Sequence, residues 1–328
     1  MSAASPDART AEHGSRAAST PRAESASVVA GAPRPSGLGA LLASPGVLAI
    51  LFWGASWVAT RRALAGFTPE GLVAARFLLG GAVVAVWALG RGSVPWPRRE
   101  DLARCVVLGL VLGGHILVQA HALRFTTAIH SGWIVSFSAV AVTLGSAAFL
   151  GERLPARNWV GVALAVLGVA LVASSKTPEL EHASTGDLLV FASSFTWAGY
   201  TLLSKRPLAS SGPWRVTPFV LGVAGLVALL ACTRDGVRSA PETAALFGVP
   251  AEAFWSVLFL GLASSGLAFL CWAATIERFG ALRAGLLIYL QPFVTLALSV
   301  AILGEHAGWS ALVGGPLVLA GVAWASRR

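Results

Sequence analysis

A chain of 328 residues that is 55% hydrophobic and only 12% charged carries apolar runs too long and too many for a soluble core, which excludes a soluble fold and points to a polytopic helical protein of the lipid bilayer. The formal net charge of +9 does not indicate nucleic acid as a partner, because the basic residues stand singly or in pairs between apolar runs and form no patch. Cys105, Cys232 and Cys271 lie within apolar runs at unrelated spacings, so neither a disulfide framework nor a metal site is expected, and no cofactor.

Residues 1–36 are rich in Ala, Ser, Pro and Arg and lack the apolar core of a signal peptide, so 1–43 is expected to be a disordered cytoplasmic tail. At about twenty residues per crossing, ten spans are predicted, over 45–64, 69–90, 104–123, 129–150, 158–174, 187–204, 214–233, 253–275, 282–303 and 309–326. With the N-terminus inside, 17 of the 24 Lys and Arg residues fall on the cytoplasmic side. Arg61, Arg62, Arg124, Lys176, Arg234 and Arg238 fall on the other, which places both termini in the cytoplasm. Arg76 alone lies well within a span.

The stretch after Gly151-Glu152 recurs 153 residues later after Gly304-Glu305, with matches at Leu150/Leu303, Val160/Val313, Gly161/Gly314, Leu164/Leu317, Gly168/Gly321, Val169/Val322 and Ala170/Ala323. Trp53-Gly54-Ala55 in the first span likewise aligns with Trp197-Ala198-Gly199 in the sixth, and Leu108-Gly109-Leu110 in the third with Leu260-Gly261-Leu262 in the eighth. The chain therefore reads as two five-helix copies, 44–176 and 185–328. An odd number of crossings per copy inserts the second upside down relative to the first, a pattern found mainly in transporters. The fold expected is all-α, with ten transmembrane helices as two inverted repeats.

The order and spacing of Phe52-Trp53-Gly54, Ala75-Arg76-Phe77, Phe149-Leu150-Gly151-Glu152-Arg153, Gly186-Asp187-Leu188-Leu189, Leu290-Gln291-Pro292 and Gly304-Glu305 resemble the drug/metabolite transporter superfamily, in particular its EamA-type ten-helix members. The resemblance runs over 44–326. It implies a secondary transporter of the bacterial inner or plasma membrane that exports amino acids or related metabolites by alternating access. Two positions depart from the pattern: Ala139 stands where members carry a fourth-span proline equivalent to Pro292, and His306 follows Glu305 where arginine is usual.

Candidate substrate-binding residues follow from depth and chemistry. Pro292 is expected to break the ninth span at mid-helix and turn Tyr289, Gln291 and Pro292 toward the interior. Of twelve tryptophans, an aromatic belt accounts for those near span ends, together with Trp133 and Trp272 a turn further in. Trp53 and Trp57 share a face of the first span with Ser56, and Trp197 with Tyr200 answers them on the sixth, so these rings are expected to wall a midplane cavity. Their alternative is packed or lipid-facing filler.

His115, with Gln119 one turn later on the same face, is either a proton or carboxylate carrier or a neutral ring bonded to a backbone carbonyl. Arg76 either holds an anionic substrate group or satisfies carbonyls of a neighbouring helix. All fifteen acidic residues fall in tails, loops or span ends. No buried carboxylate is therefore expected, and Glu152 and Glu305 should cap or pair locally.

No G-x-x-x-x-G-K loop is present to bind ATP. An intramembrane enzyme built on Ala263-Ser264-Ser265-Gly266, with His115 as base, is the weaker alternative, as is a membrane sensor without transport. The glycines of the fifth and tenth spans, Gly161, Gly168, Gly314, Gly315 and Gly321, offer a surface for a second copy.

Overall fold

The computed structural model describes residues 38–150, 156–174, 183–236, 249–280 and 284–325. All regular structure there is helical. The short α1 (Leu38–Leu42), inside the stretch expected as tail, precedes α2 (Pro45–Ala63), α3 (Pro69–Gly90) and α4 (Leu102–Ala122). Next come α5 (Ala128–Ile134), α6 (Ser138–Leu150), α7 (Ala156–Ala173), α8 (Ala183–Ser211) and α9 (Pro213–Gly236). The chain closes with α10 (Ala251–Phe259), α11 (Ala268–Phe279), α12 (Gln291–Leu298) and α13 (Trp309–Ala325).

Local sequence sets the starts and stops. Ser44 and Thr68 stand extended before Pro45 and Pro69, and the Thr68 hydroxyl accepts the Gly71 N–H at 3.1 Å. Gly280 (φ 83°) and Gly304 (φ 67°) end their helical stretches in a backbone region that L side chains avoid.

Among the described residues six helical stretches are long and apolar enough to cross a membrane: Pro69–Gly90, Arg99–Ala122, Ala128–Gly145, Pro213–Cys232, Ala251–Phe279 and Leu286–Leu303. Asn158–Ala173 and Trp309–Trp324 are apolar but shorter. α2 and α8, both expected as spans, fall outside this group. α2 ends on Arg61-Arg62, and α8 carries Asp187, Lys205, Arg206 and several Ser and Thr residues, running seven residues past its expected end at 204.

Among the described residues five helical stretches depart from α-helix, the first a 3-10 turn at Arg99–Asp101 that leads into α4. The path from α5 to α6 tightens into a 3-10 turn at Val135–Phe137, and a 3-10 segment at Leu286–Leu290 leads into α12. Leu260–Leu267, between α10 and α11, and Ser299–Leu303, after α12, are wound as π-helix. The winding of the Leu286–Leu303 stretch thus changes from 3-10 to α beside Pro292, an interruption within the span at the place expected. Pro292 lies in the first turn of α12, where a missing N–H leaves no bond unmade.

Close helix contacts rest on small residues. A Cβ at Gly168 of α7 would lie 2.7 Å from the Gly314 carbonyl oxygen of α13, and one at Gly321 would lie 2.6 Å from that of Gly161. The glycines expected to meet a second copy are thus already packed against one another within the chain. Trp133 leaves the expected belt as well: it is fully buried, with its ring against Gly315. Lipid-type exposure is carried instead by Trp87, Trp159, Trp255, Trp309 and Trp324.

Candidate functional site

Arg76 is held where two helices touch backbone to backbone. One turn along α3, Gly80 packs on the π-helical stretch so tightly that a Cβ there would stand 2.7 Å from the Gly261 oxygen and 2.8 Å from the Gly266 nitrogen. That contact carries Arg76, only 4% exposed, up to Ser264 and Ser265, which are fully buried. Its Nε donates to Ser265 Oγ at 2.9 Å and its Nη2 to Ser264 Oγ at 3.0 Å. The indole N–H of Trp53 donates to the Ser264 carbonyl at 3.0 Å.

The expected backbone carbonyls are thus replaced by hydroxyls as the arginine's partners. Among the described residues Nη1 makes no hydrogen bond and no carboxylate comes within ion-pair distance of the guanidinium. The serine pair, read from sequence as packing residues or a remote protease motif, faces this guanidinium and not an imidazole. A buried arginine opposite a Ser-Ser pair in another span was the legible signal.

Beside Arg76 lies a small cavity that opens between the helices. Eight of the predicted site residues line it: Trp53, Ser56, Trp57, Arg76, His115, Gln119, Trp197 and Gln291. Three do not. Tyr200 stacks behind Trp197 with ring centres 5.4 Å apart, Tyr289 is half-buried away from the wall, and Pro292 is buried in its helix turn. Thr60, Ser138 and Phe269 also line the cavity and were not foreseen.

Two wall groups are buried without a hydrogen-bond partner among the described residues, the indole N–H of Trp57 and the hydroxyl of Ser138. His115 lines the wall and makes the backbone-carbonyl contact that one of its two expectations called for. Its Nδ1 lies 3.0 Å from the Ser193 carbonyl and 2.8 Å from Thr196 Oγ1, and a carbonyl can only accept, so Nδ1 carries a proton. Gln119 donates to Ser193 Oγ at 3.2 Å.

Gln291 reaches the wall because Gly54 lets α12 pack directly on α2. A Cβ at Gly54 would lie 2.6 Å from that of Val294, and Thr295 Oγ1 donates to the Gly54 carbonyl at 3.0 Å. The Trp-Gly pair of the first copy thus sets both a ring of the cavity and the approach of the second copy's polar wall.

The surroundings of the cavity are uneven. On one side Trp53 packs edge-on against Trp197 and Phe269 at 5.2 and 5.1 Å, with Trp272 at 5.2 Å behind them. Trp272 is a core residue and not part of an aromatic belt. Elsewhere the wall residue Leu123 borders a polar cluster. Arg61 donates to the carbonyls of Leu123 and Thr126 at 2.5 and 2.9 Å, and His121 Nε2 meets Glu70 at 2.6 Å.

Two acidic residues there correct the sequence reading. Asp187 is 1% exposed, accepts from the Thr126 hydroxyl and lies 3.1 Å from His130 Nδ1, so a buried carboxylate does exist. Glu305 does not act locally: its two carboxylate oxygens accept the N–H groups of Ala128 and Ile129, each at 3.0 Å, at the start of α5. Glu152 lies outside the described residues.

Fold and site together define a multi-pass helical membrane protein with an internal, aromatic-walled cavity carrying one buried cation. The chain belongs to the EamA-like transporter family, whose pattern it matches twice, over 37–174 and 184–327. It is 28% identical over 284 residues to an uncharacterized transporter of Archaeoglobus fulgidus, covering 84% of this chain and 93% of that one. It is 28% identical to a probable terminal-alkyne amino-acid exporter of Streptantibioticus cattleyicolor, covering 86% and 92%. It is 26% identical to a probable amino-acid metabolite efflux pump of Salmonella typhimurium, covering 84% and 91%. A solved crystal structure shares the fold with a TM-score of 0.61 at 22% identity, over 88% of this chain and 96% of the other.

Proposed function

We propose that the protein is a secondary transporter of the bacterial inner membrane that exports a small organic metabolite, an amino acid or a related compound. It works by alternating access, with the two copies as inverted five-helix repeats and both termini in the cytoplasm. The observation that carries this reading is the composition of the cavity wall. Trp53, Arg76 and His115 come from one family match and Trp197, Phe269 and Gln291 from the other, so relative motion of the halves would open and close one shared site. The names of the exporters from Streptantibioticus and Salmonella support the solute class. α2 and α8, too polar to be selected as spans by apolarity alone, are the two helices that supply the facing Trp53 and Trp197 walls. Polar spans around a water-accessible site are what a transporter requires.

The test is efflux from cells overproducing the protein and loaded with labelled amino acids and small metabolites. Loss of one solute class should be faster with the parent protein and should fall to background with Trp57→Ala inserted at equal amount. Equal loss from producing and non-producing cells across the whole panel would overturn export. Efflux unchanged in Trp57→Ala would remove this cavity from the route.

A further inference from the structure

We propose that Arg76, poised on Ser264 and Ser265, forms a carboxylate-binding subsite in this cavity, and that the solute is an apolar or aromatic monocarboxylate needing no ammonium group. This rests on the cavity being the transport site. Among the described wall residues Arg76 is the one permanently charged group, and no Asp or Glu lines the cavity. A guanidinium removed from water and met by two neutral hydroxyls and the Phe77 ring, whose centre is 5.6 Å away, is a costly arrangement until an anion arrives.

The geometry leaves the right part of the fork open. The serines take the Nε and Nη2 edge, which leaves the Nη1 side for a second pair of parallel hydrogen bonds of the kind carboxylates accept. Trp57, 4% exposed, lines the same cavity and offers it an aromatic wall.

The opposite end of an amino acid finds no such welcome. Its ammonium would meet indole and phenyl faces and neutral polar groups but no counter-charge. Cation and ring contact returns only part of the cost of removing that charge from water. The wall therefore selects for the acid function and is indifferent or hostile to the amine.

Isothermal titration of the purified full chain in detergent tests this without requiring transport. The probes are phenylalanine, phenylpyruvate and phenylalaninamide, the matching leucine series, and chloride and phosphate. The oxo acids should bind at least as tightly as the amino acids, and the amides, which lack the carboxylate, at least about 10-fold more weakly. Arg76→Gln should weaken acid binding by about 10- to 100-fold, and Arg76→Lys should restore part of the loss, since it keeps the charge without the fork.

Amides binding as well as acids, an Arg76→Gln protein of unchanged size-exclusion profile that binds acids normally, or binding of inorganic anions alone would each overturn the assignment. Efflux of another solute with no acid bound would overturn the carboxylate subsite and leave the transporter reading in place. Absence of both would remove the two together.

Discussion

The two copies share a backbone plan and differ in what they do with it. The α5–α6 and 286–303 stretches tighten into 3-10 winding at matching places, Val135–Phe137 and Leu286–Leu290, 153 residues apart in register. The third span and its counterpart behave otherwise. α4 is a continuous α-helix and presents His115 to the cavity, whereas Ala251–Phe279 winds through a π-helical stretch that holds Ser264 and Ser265 against Arg76. The framework is thus repeated and the charge chemistry is not. The divergence between the two copies makes the cavity they share asymmetric.

The comparison breaks most sharply at the serine pair. Replacing Ser264 and Ser265 together by Ala removes both hydroxyls from a buried guanidinium. With about 1.5–3 kcal/mol for each bond to a charged group, and incomplete additivity, the loss should be about 3 kcal/mol. Unfolding in mixed micelles measures it. A loss under about 1 kcal/mol would mean that water or lipid headgroups reach Arg76 and that the π-helical stretch is not its support.

Gly80→Ala comes next. The added methyl meets backbone atoms of Gly261 and Gly266, which cannot rotate away, so α3 must retreat at a cost of about 1–3 kcal/mol. The same substitution at Gly114, where a Cβ meets nothing within 4 Å, is the control expected to be neutral. Equal effects at the two sites would deny that the α3 contact is specific.

Much of this was legible in the sequence. Apolar period, length and basic-residue placement located helical stretches where helices occur, and depth within a span brought out Trp53, Trp57, Arg76, His115 and Gln119. Tyr200, Tyr289 and Pro292 were misplaced relative to the wall because neighbours in sequence share a span without sharing a face. A tilt or a change of helical winding redirects side chains by amounts that residue counting does not register. Asp187 was missed for a related reason. It was judged by its place near a predicted span end, while its burial is set by Thr126 and His130 from 57 to 61 residues away. Partners across the fold, and not depth along the chain, decide whether such a carboxylate is hidden.

Glu305 ties the copies together and its removal should have a moderate effect. The carboxylate satisfies two of the free N–H groups at the start of α5 and lies at the positive end of that helix. Glu305→Ala should cost about 0.5–2 kcal/mol, the range for losing a helix cap, and Glu305→Gln less, because one amide oxygen can still accept. Identical stability of parent and alanine variant would mean that water replaces the carboxylate and that the tie between copies is incidental.

The smallest expected effect sharpens the comparison most. Ala139 opens α6 just after a 3-10 turn, in the place that Pro292 occupies at the start of α12. If proline caused the break in the second copy, the first copy should have stayed straight, and it did not. The change of winding is then a property of the packed segment, which Gly132 helps to set by letting Thr295 approach so closely that a Cβ would lie 2.8 Å from it. Proline merely suits a backbone already bent. Ala139→Pro should therefore change stability by less than about 1 kcal/mol, against 3 kcal/mol or more for proline in an unbroken helix interior. Ala120→Pro in the regular α4 is the matching control and should show the larger loss. A large loss at Ala139 would mean that the first copy's turn keeps a backbone bond at that nitrogen which the second copy has given up.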